Sequence, residues 1–206
     1  MLCIFMHGSS GFGRQALEYM RMMARKGYLV LAPDHIEAHH KNRKKIAYTS
    51  SYKLACTGRM QKVYRYVVGY RLCELESCIR FAKMCFPKAK LVTVGTSEGA
   101  IAVAKSTQRV DTKLIFSYVL RGSYFEPHDI FHSQKGTHVV NVYGENDEFF
   151  GSKGSISSDT HTMCGGKHWT DGTKPNVKTV VLRNTGHNIM ETATNRAVVE
   201  AIIKST

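Results

Sequence analysis

The stretch that most constrains the fold runs from Lys90 to Ala104. Leu91 to Val94 is a short β-branched run that reads as a buried strand, and Ala100 to Ala104 reads as the start of a packed helix. Only Gly95-Thr96-Ser97-Glu98-Gly99 separates the two, so the chain must turn sharply between them. Glycines at i−2 and i+2 of Ser97 suit such a turn, because a side chain at either place would strike the adjoining strand or helix. The turn exposes the Ser97 hydroxyl at the N-terminus of the helix, where free N–H groups and the helix dipole favour developing negative charge. A strand, a tight Gly-x-Ser-x-Gly turn and a helix, in that order, are the setting expected of a nucleophilic serine.

The rest of the chain supplies a sheet around this unit. Leu2 to Met6 is an apolar run suited to a buried parallel strand, and Gly8 to Gly13 follow as a loop. Helical spacing over Arg14 to Lys26 ends at Gly27, and Tyr28 to Ala32 forms a second strand closed by Pro33-Asp34. Leu72, Leu75, Ile79, Ala82 and Phe86 trace the apolar stripe of an amphipathic helix over Arg71 to Phe86, which Pro87 ends. Lys113 to Val119, Thr137 to Tyr143 and Val177 to Leu182 read as further strands, and Glu191 to Lys204 as a closing helix. Strands alternating with helices predict a doubly wound, mostly parallel α/β sheet of about six strands. The chain has no internal repeat and no linker, so 1–206 reads as a single domain.

Two segments resist this pattern. Residues 35–70 have no clear period; His39 to Lys45 is a basic run, and Lys62 to Arg71 interleaves basic and aromatic residues with valines that suit half-buried packing. Residues 151–175, rich in Gly, Ser and Thr, read as an inserted loop.

Twenty-nine Lys and Arg against 16 Asp and Glu give a net charge of +13. That balance permits nucleic acid, anionic membranes or acidic small molecules as partners without choosing among them. The basic runs read as solvated faces, so nucleic acid is not expected, though they could steer an anionic substrate. No apolar run approaches the roughly 18 residues of a membrane span, and the first six residues are too short for a signal-peptide core. The six cysteines include no Cys-x-x-Cys pair, which suits reduced, packed thiols and a cytoplasmic location.

In a parallel sheet the loops leaving the strand C-termini form the site. Four such loops carry suggestive residues: His7-Gly8-Ser9-Ser10-Gly11, the Ser97 turn, Gly144-Glu145-Asn146-Asp147, and Asn184-Thr185-Gly186-His187. All four should open at one edge, bringing a serine, an acid, a histidine and backbone donors together.

Met-His-Gly at 6–8, the Gly27 to Asp34 stretch, Gly-x-Ser-x-Gly at 95–99, Gly-x-x-Asp at 144–147 and Gly-His at 186–187 together resemble the α/β-hydrolase superfamily. The likeness is nearest to its dienelactone-hydrolase-like members and covers nearly the whole chain. It implies Ser97 as nucleophile, His187 as general base and Asp147 as the group orienting the imidazole. It also implies an oxyanion hole made by the backbone N–H groups of Glu98 and Ser9. The register from Gly144 favours Asp147 over its neighbours Glu145 and Glu148. The Glu98 side chain is expected to stabilise the helix N-terminus; Asp34, at a strand end near the site, is expected to cap its loop, with contact to substrate as the alternative.

Three features depart from the family pattern. Dienelactone hydrolases carry cysteine where this chain has Ser97, which points to a small ester or thioester in place of a lactone, and the basic runs suit an anionic one. The two leading strands are missing, and the segment between acid and histidine is lengthened by 151–175. No cofactor or metal is implied, and two copies could pair along an exposed sheet edge. A reading from a different class is a hydrolase-like scaffold without turnover that binds an anionic partner through its basic surface.

Two rival motifs are weaker. Gly11-Phe12-Gly13-Arg14-Gln15-Ala16, with Asp34 about twenty residues on, mimics a dinucleotide fingerprint, but its glycines begin five residues after the strand ends, too late for that turn. His161-x-x-Cys164-x-x-x-His168 has zinc-like spacing but lacks an evident fourth ligand, so it reads as polar loop. Trp169 beside it is either a lid over the substrate or an anchor for the loop.

Overall fold

The computed structural model describes residues 1–35, 60–120, 131–150 and 176–206, and within 60–66 the backbone alone. Its strands are β1 (Leu2–Met6), β2 (Leu29–Leu31), β3 (Leu91–Thr96), β4 (Thr112–Phe116), β5 (His138–Gly144) and β6 (Val177–Leu182). They form one six-stranded sheet in the order β2-β1-β3-β4-β5-β6, and every neighbouring pair is parallel. All the strand C-termini therefore line one edge, as the doubly wound α/β reading requires.

Helices α1 (Arg14–Arg25) and α4 (Ala193–Lys204) cover one face; α2 (Met60–Cys85) and α3 (Glu98–Lys105) cover the other. Successive strand residues point to opposite faces, and β1 divides accordingly. Leu2, Ile4 and Met6 join the core under α2 and α3, while Cys3 and Phe5 join the core under α1 and α4. Burial on both faces is why β1 reads as an unbroken apolar run and β3 as a largely β-branched one. Helix α3 is buried from Glu98 to Ala104, and its small side chains let it lie close to the sheet.

The structure departs from expectation in several elements. The strand expected over Lys113 to Val119 ends at Phe116, because Ser117 turns the chain with φ +52°. The closing helix starts at Ala193, where Thr192 Oγ1 caps it by accepting from the Asn195 N–H at 3.1 Å. Helix α2 begins at Met60, not Arg71, so the basic and aromatic run 62–71 is helical. Gly69 inside it weakens the helix by about 1 kcal/mol relative to alanine; burial of Val67 and Val68 offsets this.

The inward stripe of α2 also differs: it runs through Val68, Arg71, Leu75, Ile79 and Ala82. Leu72 is half-buried and Phe86 is exposed. Among the described residues the sheet ends at β2, a three-residue edge strand whose Leu29 is 56% exposed. Among the described residues, no helix is long and apolar enough to cross a membrane.

Candidate active site

Strand β3 enters α3 through Ser97, whose φ of 53° and ψ of −121° lie in the left-handed half of the map. For a residue with a Cβ this costs about 1–3 kcal/mol. The turn persists because its surroundings dictate it. The Ser97 N–H donates to the Phe116 carbonyl at 3.0 Å, and the Ala100 N–H to the Ser97 carbonyl at 3.0 Å. A Cβ on Gly95 would stand 2.5 Å from the Gly99 carbonyl oxygen, and one on Gly99 would stand 2.5 Å from that of His7. No side chain fits at either position, so the elbow is pressed against both its own helix and the end of β1.

The three side chains singled out from the sequence come together at the sheet's C-terminal edge. Ser97 Oγ is 2.9 Å from His187 Nε2, and His187 Nδ1 is 2.8 Å from Asp147 Oδ2. An ionised carboxylate only accepts, so the ring proton resides on Nδ1 and Nε2 is left to accept from the serine hydroxyl. Asp147 is fully buried, and its second oxygen accepts the N–H groups of Phe149 and Phe150 at 2.8 and 3.0 Å. His187 is half-buried, with the Phe149 ring set edge-on against it at 4.8 Å.

The acids that competed with Asp147 have other tasks. Glu145 Oε2 accepts from the Asn184 N–H at 3.1 Å, and Glu148 Oε2 accepts from the His187 N–H at 3.0 Å. Together with the Asn146 N–H on the Thr185 carbonyl at 2.9 Å, they lace the acid loop to the histidine loop. Ser117, the residue that ends β4, donates its hydroxyl to the His187 carbonyl at 2.8 Å. Sequence reasoning missed Ser117 and the task of Glu148. The one available signal for Ser117 was its position at the end of a strand neighbouring β3.

The loop after β1 forms the opposite wall. Gly8 and Ser9 line, with Ser97 and His187, a cavity of about 200 Å³ among the described residues. A Cβ on Gly8 would touch that of Ser97 at 3.4 Å, so this backbone passes directly beside the serine. Glu98, the other expected oxyanion donor, opens α3 with its N–H immediately after Ser97. Arg14, at the start of α1, also borders the cavity, with a side chain 91% exposed. Asp34 is exposed and faces His7 electrostatically.

Behind this wall lies a buried polar group that the sequence did not reveal. His7 is fully buried; its Nδ1 donates to the Gly8 carbonyl at 2.7 Å, and its Nε2 accepts from the His35 N–H at 3.2 Å. Burial first, and the Arg71 guanidinium second, push the His7 pKa below its ordinary value. Contrary to expectation, the Glu98 side chain does more than sit in the dipole of α3. It is 2% exposed and takes a hydrogen bond from Arg71 Nη1 at 2.7 Å. The signal for Arg71 was an arginine at an inward position of the stripe that runs from Val68 to Ala82.

Among the described residues, no three His, Cys, Asp or Glu side chains are grouped to hold a metal ion. His161, Cys164, His168 and Trp169, the basic run 39–45 and the loop 151–175 lie outside the described residues. Gly11 and Gly13 border the serine cavity, and α1 begins only after them, at Arg14.

No protein-family model matches this sequence, and no curated protein does. Solved structures do match. A candidate hydrolase of the alpha/beta superfamily from Xanthomonas campestris is 14% identical, with a TM-score of 0.60, covering 99% of this chain and 96% of that one. A cold-adapted esterase from an Arctic intertidal metagenomic library is 12% identical, with a TM-score of 0.57, covering 99% of this chain and 81% of the other. A candidate dienelactone hydrolase from Klebsiella pneumoniae is 16% identical, with a TM-score of 0.55, over 96% of this chain and 77% of its own. The chain has the α/β-hydrolase fold.

Proposed function

We propose that the protein is a serine hydrolase that cleaves a carboxylic ester or thioester through an acyl-enzyme. The observation that carries this reading is the unbroken chain from Asp147 through His187 to Ser97, at 2.8 and 2.9 Å, on an elbow with a left-handed serine. In the first half-reaction His187 Nε2 takes the Ser97 proton as Oγ bonds to the substrate carbonyl carbon. The carbonyl oxygen becomes an oxyanion facing the N–H groups of Glu98 and Ser9. The tetrahedral intermediate collapses, the C–O or C–S bond breaks, and the imidazolium returns its proton to the departing alcohol or thiol. Water then repeats the sequence on the acyl-enzyme, with His187 as base, and releases the acid and free Ser97. Asp147 keeps the imidazole in the required tautomer and offsets its transient charge.

The cavity beside Ser97 suits a small substrate, and the net charge of +13 favours an anionic one. The deciding measurement is hydrolysis of a short-chain chromogenic ester by wild type and by Ser97→Ala. A fall in kcat of at least ~10³-fold is expected. Equal turnover by the two proteins would remove the enzymatic reading and leave a binding scaffold with a basic surface.

A further inference from the structure

Arg71 is a fully buried cation at an inward position of α2. Its guanidinium fork reaches two segments at once: Nη1 meets Glu98 Oε1 at 2.7 Å, and Nη2 donates to the main-chain carbonyl of His7. The first contact lies at the opening of α3 and the second at the exit of β1. Those two places carry the backbone N–H groups of Glu98 and Ser9, two residues and three residues past the strand ends.

The His7 arm is braced in turn. The His7 ring is held by Gly8 and the His35 main chain, and His35 Nδ1 donates to Glu74 Oε2, also on α2, at 2.8 Å. Helix α2 thus grips the exit of β1 twice and the elbow once. Stability alone is a poor reason to keep such a pair, since well-packed apolar residues often replace a buried ion pair without loss. A planar fork with two fixed directions does something an apolar contact cannot: it sets both the separation and the orientation of the groups it joins.

Resting on the hydrolase reading above, we propose that Arg71 is a positioning residue for the oxyanion-stabilising backbone. It ties the exit of β1 to the elbow so that the N–H groups of Ser9 and Glu98 converge on one point. The tie matters because such donors act only when set beforehand about 2.7–3.1 Å from the developing charge. Misplacement by about 1 Å costs on the order of 10²-fold in rate.

The test uses Arg71→Lys, whose single ammonium lacks the planar fork that joins both partners, and the double variant Arg71→Met, Glu98→Met, which removes the tie without stranding a charge. Ester hydrolysis is measured per folded molecule, with folding followed by thermal unfolding, alongside the rate of phosphorylation by diethyl p-nitrophenyl phosphate. Both variants should lose about 10²-fold in kcat and in phosphorylation rate, with little change in KM or in the pH midpoint of kcat/KM. Wild-type kcat in either folded variant would overturn the proposal. So would a moved pH midpoint, which would place the effect on His187, or the failure of both variants to fold, which would make the tie a requirement of the fold alone. Equal turnover by wild type and Ser97→Ala would instead overturn the hydrolase reading. If Ser97→Ala is inert while both Arg71 variants keep wild-type turnover, only the positioning role falls.

Discussion

Asp147 and Arg71 are both fully buried charges near Ser97, but they are satisfied in different ways. Asp147 completes most of its shell within its own loop, accepting from the N–H groups two and three residues on. Only its bond to His187 spans the chain. Arg71 has no such local support: its partners, Glu98 and His7, lie 27 and 64 residues away. The first arrangement forms whenever its turn forms. The second exists only once β1, α2 and α3 have packed together. A locally satisfied charge is thus free to specialise in chemistry, while a charge satisfied across the fold also bears on whether the fold closes.

Substitutions can separate these two roles. Asp147→Asn should lower kcat on a chromogenic ester by about 10⁴-fold through the wrong imidazole tautomer. Its melting temperature should move little, because an amide oxygen can still accept from Phe149 and Phe150. A comparable loss of stability would break the contrast. Arg71→Met removes the guanidinium that pairs with the buried Glu98 carboxylate and should cost about 3–5 kcal/mol in denaturant unfolding. Adding Glu98→Met should recover most of that cost, and failure to recover it would show that the guanidinium acts through packing and not through charge.

The smallest effect concerns His7, which faces Arg71, His35 and Asp34. Its Nε2 accepts the His35 N–H, so protonation breaks that bond, and its pKa is held below the ordinary value. The unfolded chain takes up this proton near pH 6.5 while the folded protein refuses it. Stability should therefore fall as pH drops below about 6.5, by at most about 1.4 kcal/mol per pH unit from this residue. The melting temperature of His7→Asn should decline less steeply than that of wild type between pH 6.5 and 5. Identical slopes would remove His7 from the account.

The strands, the elbow and the loops bearing Ser97, Asp147 and His187 were legible because each rests on short-range physics. A run buried on both faces is mostly apolar or β-branched, and a turn that admits no Cβ carries glycine, as at Gly95 and Gly99. A parallel sheet then sends every strand's exit loop to one edge, so the convergence of the four loops followed from order alone. Less was readable in α2, where Gly69 and mixed basic and aromatic residues hid a helix that starts at Met60.

The inward face of α2, the bond from Ser117 to His187 and the lacing by Glu145 and Glu148 came only with the tertiary structure. An arginine in a helical stripe is solvated or buried according to what faces it. For Arg71 the facing groups are a carboxylate and a carbonyl supplied by other elements. Periodicity and turn chemistry are properties of neighbours in the chain, and the sequence determines those directly. The cost of burying a charge depends on partners in space, and only the packed fold brings those to it.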